Sequence, residues 1–104
     1  MTNFVLLYTG GGMPEGEEAQ AAVMAAWGAW YETMGAAIVD GGNPFSLSKS
    51  VTADGVQDSA VSSPAPSGYT IISAESLDDA VAKVSGHPHI QHGGQVSVYE
   101  TFQM

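Results

Sequence analysis

Apolar side chains fill residues 3–9 almost without a break (Phe4, Val5, Leu6, Leu7, Tyr8), and glycines at 10–12 end the run. A short stretch of this kind, branched and aromatic and closed by glycine, predicts a strand buried on both faces. From Pro14 the period lengthens. Ala19, Val23, Ala26, Trp27, Trp30 and Met34 recur at helical spacing, Glu15, Glu17 and Glu18 sit in the opening turns where the helix dipole favours anions, and Gly35 ends the helix. Residues 36–40 read as a second short strand, closed by the turn Gly41-Gly42-Asn43-Pro44. Residues 45–67 are rich in Ser, Ala, Asp and Pro, with Asp54-Gly55 as a hairpin tip, so a protruding loop or hairpin is expected there. Tyr69, Thr70, Ile71, Ile72, Ser73 and Ala74 predict a third strand. Ser76, followed by Asp78 and Asp79, opens a second helix with Leu77, Ala80, Val81 and Val84 as its apolar positions and Gly86 as its stop. After a loop at 87–94, Val96, Val98 and Phe102 alternate with Ser97, Tyr99 and Thr101, which predicts a fourth strand at 95–102.

Two helical crossovers among four strands specify an α+β fold: a ferredoxin-like βαββαβ sandwich with an antiparallel sheet, both helices on one face, and a single domain over 1–104. In the first strand Phe4, Leu6 and Tyr8 point to one face while Val5 and Leu7 point to the other. Apolar side chains therefore emerge on the helix-free side as well. Pairing two sheets face to face would cover them, so a homodimer is expected.

Charge narrows the partners. Eleven acidic residues stand against Lys49 and Lys83 alone, a formal charge of -9 that repels phosphate backbones and anionic lipid. Nucleic acid and membrane surfaces are excluded on this ground. The chain has no cysteine, which removes disulfides, thiolate metal sites and thiol nucleophiles together. Its opening residues lack a basic leader with a long apolar stretch, so a soluble cytoplasmic protein is expected.

In the predicted topology the loops 10–18, 40–44 and 87–94 meet at one edge of the sheet. They hold most of the residues with chemical potential: Asp40, Asn43, His87, His89 and His92, with Tyr8 at a strand end and Trp27 as a candidate wall. His87, His89 and His92 invite a divalent metal, since neutral imidazoles are common ligands. Their spacing matches no closed site, and solvated loop histidines are the plainer account, so no cofactor is expected. A second reading makes His87 or His89 a general acid or base whose tautomer Asp40 holds. Against it, Asp40 before two glycines is a natural turn former. Ser46, Ser48 and Ser50 form no nucleophile elbow. The glycines at 10–12 lack the lysine of a phosphate loop and are followed by glutamates, so a flexible turn is expected rather than a nucleotide site. Trp27 and Trp30 belong by default to the core.

Several segments in order, Phe4-Val5-Leu6-Leu7-Tyr8, Trp27-Gly28-Ala29-Trp30, Val39-Asp40-Gly41-Gly42-Asn43-Pro44, Gly68-Tyr69-Thr70-Ile71-Ile72, Ser76-Leu77-Asp78-Asp79-Ala80 and Val96-Ser97-Val98-Tyr99-Glu100, make the chain resemble the YCII-related family with its DGPF-type bacterial members. The resemblance implies a dimeric α+β barrel with a pocket in each subunit. It also implies a histidine on the first helix and an Asp-Pro-Tyr segment before the last strand. Those positions fall here near Met24 and on His87-Pro88-His89, while Asp54-Gly55-Val56-Gln57 stands nearest to Asp-Gly-Pro-Phe. The functional expectation is a small-molecule-binding protein, an enzyme if His87 or His89 works with Asp40 in acid-base chemistry. The alternative is a non-catalytic dimeric sensing or regulatory module. A cofactor-free oxygenase or isomerase rests on fold analogy alone.

Overall fold

The computed structural model describes residues 1–12, 14–58 and 65–103. Strands β1 (Thr2–Gly10), β2 (Ile38–Asp40), β5 (Gly68–Ala74) and β6 (Gly94–Glu100) form an antiparallel sheet in the order β2-β5-β1-β6, the ferredoxin-like arrangement expected from the sequence. Helix α1 (Glu17–Met34) links β1 to β2. Helix α2 (Leu77–Val84) and a single turn, α3 (Pro88–Gln91), link β5 to β6. Between β2 and β5, β3 (Ser50–Thr52) and β4 (Gly55–Gln57) pair as a separate ribbon turning at Asp54-Gly55. This is the hairpin expected within 45–67, of which 59–64 lie outside the described residues.

The alternation along β1 decides which face carries the helices. Phe4 and Leu6 are fully buried and Tyr8 nearly so, and the residues facing them across the ladders continue the same layer, Ile72 opposite Phe4, Thr70 and Val98 opposite Leu6, and Val96 opposite Tyr8. Trp30 from α1 and Ala80 and Val84 from α2 close the core over them, with Trp27, Tyr31 and Met34 packed at its margin. Each fully buried large apolar side chain contributes about 1.5–3 kcal/mol. Trp30 also donates its indole N–H to the Lys83 carbonyl at 3.3 Å, tying α1 to the end of α2. On the opposite face Val5 lies beside Ile71 and Tyr99, and Leu7 beside Tyr69 and Ser97. Tyr99 there is 55% exposed, and Phe45 stacks on Tyr69 with centroids 5.7 Å apart.

Several boundaries move by a few residues, for identifiable reasons. Helix α1 begins at Glu17 because Gly16, at φ 93°, breaks the path from Pro14, leaving only Glu17 and Glu18 in the first turn. Ala36 and Ala37, expected in the second strand, complete a 3-10 turn after Gly35. The loop expected at 87–94 holds α3, because His87 caps it and Pro88 occupies its first turn, where a missing N–H costs nothing. Beyond β6, Thr101 donates both its backbone N–H and its hydroxyl to the Asn3 carbonyl, at 3.1 and 2.8 Å, fastening the end of the chain to the start of β1.

Helix α2 is capped as its sequence predicts. The Ser76 hydroxyl accepts the Asp79 N–H at 3.0 Å, and the Asp79 carboxylate reaches back to the Glu75 N–H at 3.0 Å while pairing with Lys83 at 3.1 Å. The Glu75 N–H, followed by Lys83, holds the Asp79 carboxyl below its ordinary range. Ser76→Ala orphans the Asp79 amide and is expected to cost about 1 kcal/mol in urea unfolding.

Candidate functional site

A cavity of about 590 Å3 opens at the end of the sheet where β1 and β2 finish and β5 begins. Helix α1 supplies Val23, Met24, Trp27 and Tyr31, β1 supplies Tyr8, and residues 10–12, 41–44 and 67–69 form the remaining rim with His89 and His92. The three loops expected to converge do so. The start of β5, which the sequence did not single out, adds a fourth side.

His89 is placed by its backbone surroundings. Its Nε2–H donates to the Thr9 carbonyl at 2.8 Å, which requires a proton on Nε2. Space for the ring comes from two glycines. A Cβ on Gly11 would approach the ring carbon Cε1 at 3.0 Å, and one on Gly94 would collide with the imidazole itself. Gly10 and Gly11, at φ 66° and 70°, turn the chain off the end of β1 at the same place.

His87 is fully buried and is not among the lining residues. Its Nδ1 accepts the His89 backbone N–H at 3.0 Å, so the ring proton sits on Nε2, which has no hydrogen-bond partner among the described residues. Aromatic rings surround it. The centroids of Trp30, Trp27 and Tyr8 lie 4.4, 4.5 and 5.0 Å away, with Trp27 perpendicular to the imidazole. Burial, with a smaller contribution from the neighbouring His89, pushes the His87 imidazole down to about 4, so it is neutral at pH 7.

Under the cavity runs a hydroxyl network. Tyr8 donates to Thr70 Oγ1 at 2.7 Å, Thr70 donates to the Gly41 carbonyl at 3.1 Å, and Tyr31 donates to the same carbonyl at 3.1 Å. Burial raises the Tyr8 hydroxyl well above the ordinary tyrosine range, which keeps it a donor. The network fixes the 41–44 loop against the strands and presents Asn43 to the cavity.

Asp40 serves that loop from outside. Its exposed carboxylate accepts the Gly42 N–H at 2.9 Å, an Asx turn, and Asp40 is not among the lining residues. The hydrogen bonds of His87 and His89 go to the His89 amide and the Thr9 carbonyl instead. His92 caps the end of α3 and reaches the cavity rim, so the three histidines have three different surroundings. Among the described residues, no group of three or more His, Cys, Asp or Glu side chains could hold a metal ion. Tyr8, Trp27 and Asn43, expected at the pocket, all line it. Met24, near which the family resemblance implies a histidine, lines it too.

Among the described residues no helix is long and apolar enough to cross a membrane. No family model matches the chain, and no curated protein matches its sequence. Among solved structures it is similar to the 5-chloro-2-hydroxyhydroquinone dehydrochlorinase TftG from Burkholderia phenoliruptrix AC1100, solved in complex with 2,5-dihydroxybenzoquinone. The two align with a TM-score of 0.58 at 18% identity, over 100% of this chain and 96% of that one. At that identity the likeness establishes the fold: the chain is an α+β protein built on a ferredoxin-like antiparallel sheet.

Proposed function

We propose that this chain is a small-molecule-binding protein of the YCII-related kind, that its cavity takes a flat ring compound, and that His89 handles a proton on it. The observation that carries this reading is the His89 ring, its tautomer fixed by the Thr9 carbonyl, at the rim of a cavity walled by Tyr8, Trp27 and Tyr31. A neutral imidazole with a free Nδ1 is a proton acceptor, and aromatic walls suit a planar ligand. Among the described residues the lining contains no lysine, arginine or carboxylate, which suits an uncharged hydroxylated ring. The ring compound bound by TftG, a protein of similar fold, supports a flat hydroxylated six-membered frame. In this reading the Thr9 carbonyl takes the role expected of Asp40, and His87 stands behind His89.

The working form is a homodimer. Support comes from Val5, Leu7, Ile71, Tyr69 and Tyr99 emerging together on the face without helices. Light scattering is expected to give twice the chain mass at micromolar concentration; a monomer there removes this part of the proposal. The non-catalytic sensing module keeps one specific support, Met24 at the cavity where a proton-transferring histidine is implied, since a thioether transfers no proton.

The test uses hydroquinone and catechol, both uncharged at neutral pH, as probes. Saturable quenching of Trp27 fluorescence and a raised melting temperature are expected, with His89→Gln weakening binding by about tenfold. Absorbance with time separates the two versions, because an enzyme converts a probe and a sensing module only holds it. Failure of every hydroxylated ring to bind the native protein defeats the reading.

A further inference from the structure

The unexplained group in this fold is His87. It is a fully buried titratable side chain outside the cavity, its Nε2 lacks a hydrogen-bond partner among the described residues, and burying an unpaired donor is destabilising. A plain apolar residue would fill the space among Tyr8, Trp27 and Trp30 without that cost. What a histidine adds is an acceptor, Nδ1, aimed at the backbone N–H of His89. That bond caps α3 at its first turn, and the His87 N–H is itself held by the Val84 carbonyl at 2.9 Å.

We propose that His87 is the positioning residue of the site: wedged among three aromatic rings, its imidazole grips the His89 amide and so keeps the His89 ring on the Thr9 carbonyl with Nδ1 free. The inference rests on the reading of His89 as the proton-handling group. Two contacts fix His89, its amide on His87 and its Nε2–H on Thr9, and they hold opposite ends of one residue. With both in place the imidazole has a single orientation. Without the first, the turn at Pro88 loses its cap and the ring can swing off Thr9.

The arrangement also couples the wall to the grip. Trp27 lines the cavity and packs on His87 at 4.5 Å, so a ligand pressing on the indole presses on the group that holds His89. The titratable groups facing His87 are Tyr8 from β1 and His89 from α3, while α1 presents the uncharged Trp27 and Trp30.

The experiment begins with the unsubstituted protein and no ligand, so its outcome is independent of whether any ring compound binds. Nitrogen NMR of the imidazoles at pH 7 is expected to place the proton on Nε2 in both His87 and His89; a proton on Nδ1 of His87 overturns the proposal at once. Next come His87→Leu, which keeps apolar bulk and removes the acceptor, and His87→Asn, which restores a capping oxygen. His89 is expected to lose its single tautomer in the leucine variant and recover it in the asparagine variant. Affinity for hydroquinone follows the same order, falling about tenfold in the first and within about threefold of native in the second. A folded His87→Leu protein with the native His89 tautomer assigns His87 a merely structural role and overturns the proposal. Should the leucine variant not fold, the native tautomer and the asparagine variant still decide it, since a folded His87→Asn protein with a disordered His89 ring is equally fatal.

Discussion

Gly42→Ala is expected to lower the unfolding free energy by about 3 kcal/mol or more and the melting temperature by more than about 10 °C. Gly42 holds φ 74°, and a Cβ built there would run into the Tyr69 carbonyl oxygen, an atom of the β5 backbone that cannot step aside. The collision has two consequences because the loop joins two structures. On one side it carries the Asn43 carbonyl, which receives the Tyr69 N–H at 3.4 Å, and the bridge between Pro44 and Gly68. On the other, Gly41 is the common acceptor for Tyr31 and Thr70 beneath the cavity. Gly28→Ala is the control. Its Cβ would meet nothing within 4 Å, and it lies within α1, so stability should rise by about 0.5–1 kcal/mol. Equal losses in the two variants, measured by urea unfolding, would refute this account of Gly42.

The second large effect is acid lability centred on His87. Its folded imidazole is pushed down to about 4, whereas an unfolded histidine takes up its proton near 6.5. Between those values the unfolded chain binds a proton that the native protein refuses, so acidification favours unfolding. The stabilisation tied to neutral His87 is complete above about pH 6.5 and lost as the pH falls through 4, with a span of about 3 kcal/mol. Asp79, held below its ordinary range, loses stability in the same direction at lower pH. Unfolding free energies at pH 7, 6, 5 and 4.5 should fall steeply in the native protein and more gently in His87→Asn, which has no imidazole at that buried position. Parallel slopes in the two proteins would remove His87 from the explanation.

The sheet was legible because each strand carries its own period and its own punctuation. Phe4, Leu6 and Tyr8 against Val5 and Leu7, and Gly86 and Ser76 at the limits of α2, are local signals that tertiary contacts left unopposed. So was the meeting of the loops, which follows from connectivity. The roles of the histidines were not. A plain loop at 87–94 would leave His87 and His89 in one setting, but Pro88 at the first turn of a helix sends them in different directions, one into the core and one to Thr9. The pair His-Pro, a capping side chain before a residue with no N–H to satisfy, was the available signal. Asp40 carried its own clue in the two glycines behind it. The Thr9 carbonyl had none, since a backbone acceptor leaves no trace in side-chain composition.

The bonds from Thr101 to the Asn3 carbonyl have a practical bearing on assays. In the β1–β6 ladder Phe4 faces Glu100 and Gly10 faces Gly94, so the start of β1 and the finish of β6 lie side by side, roughly 20 Å of strand away from the cavity. A fluorophore or a surface tether attached at Thr2 or Thr101 therefore leaves the cavity mouth unobstructed, and immobilised protein should report the same probe affinities as protein free in solution.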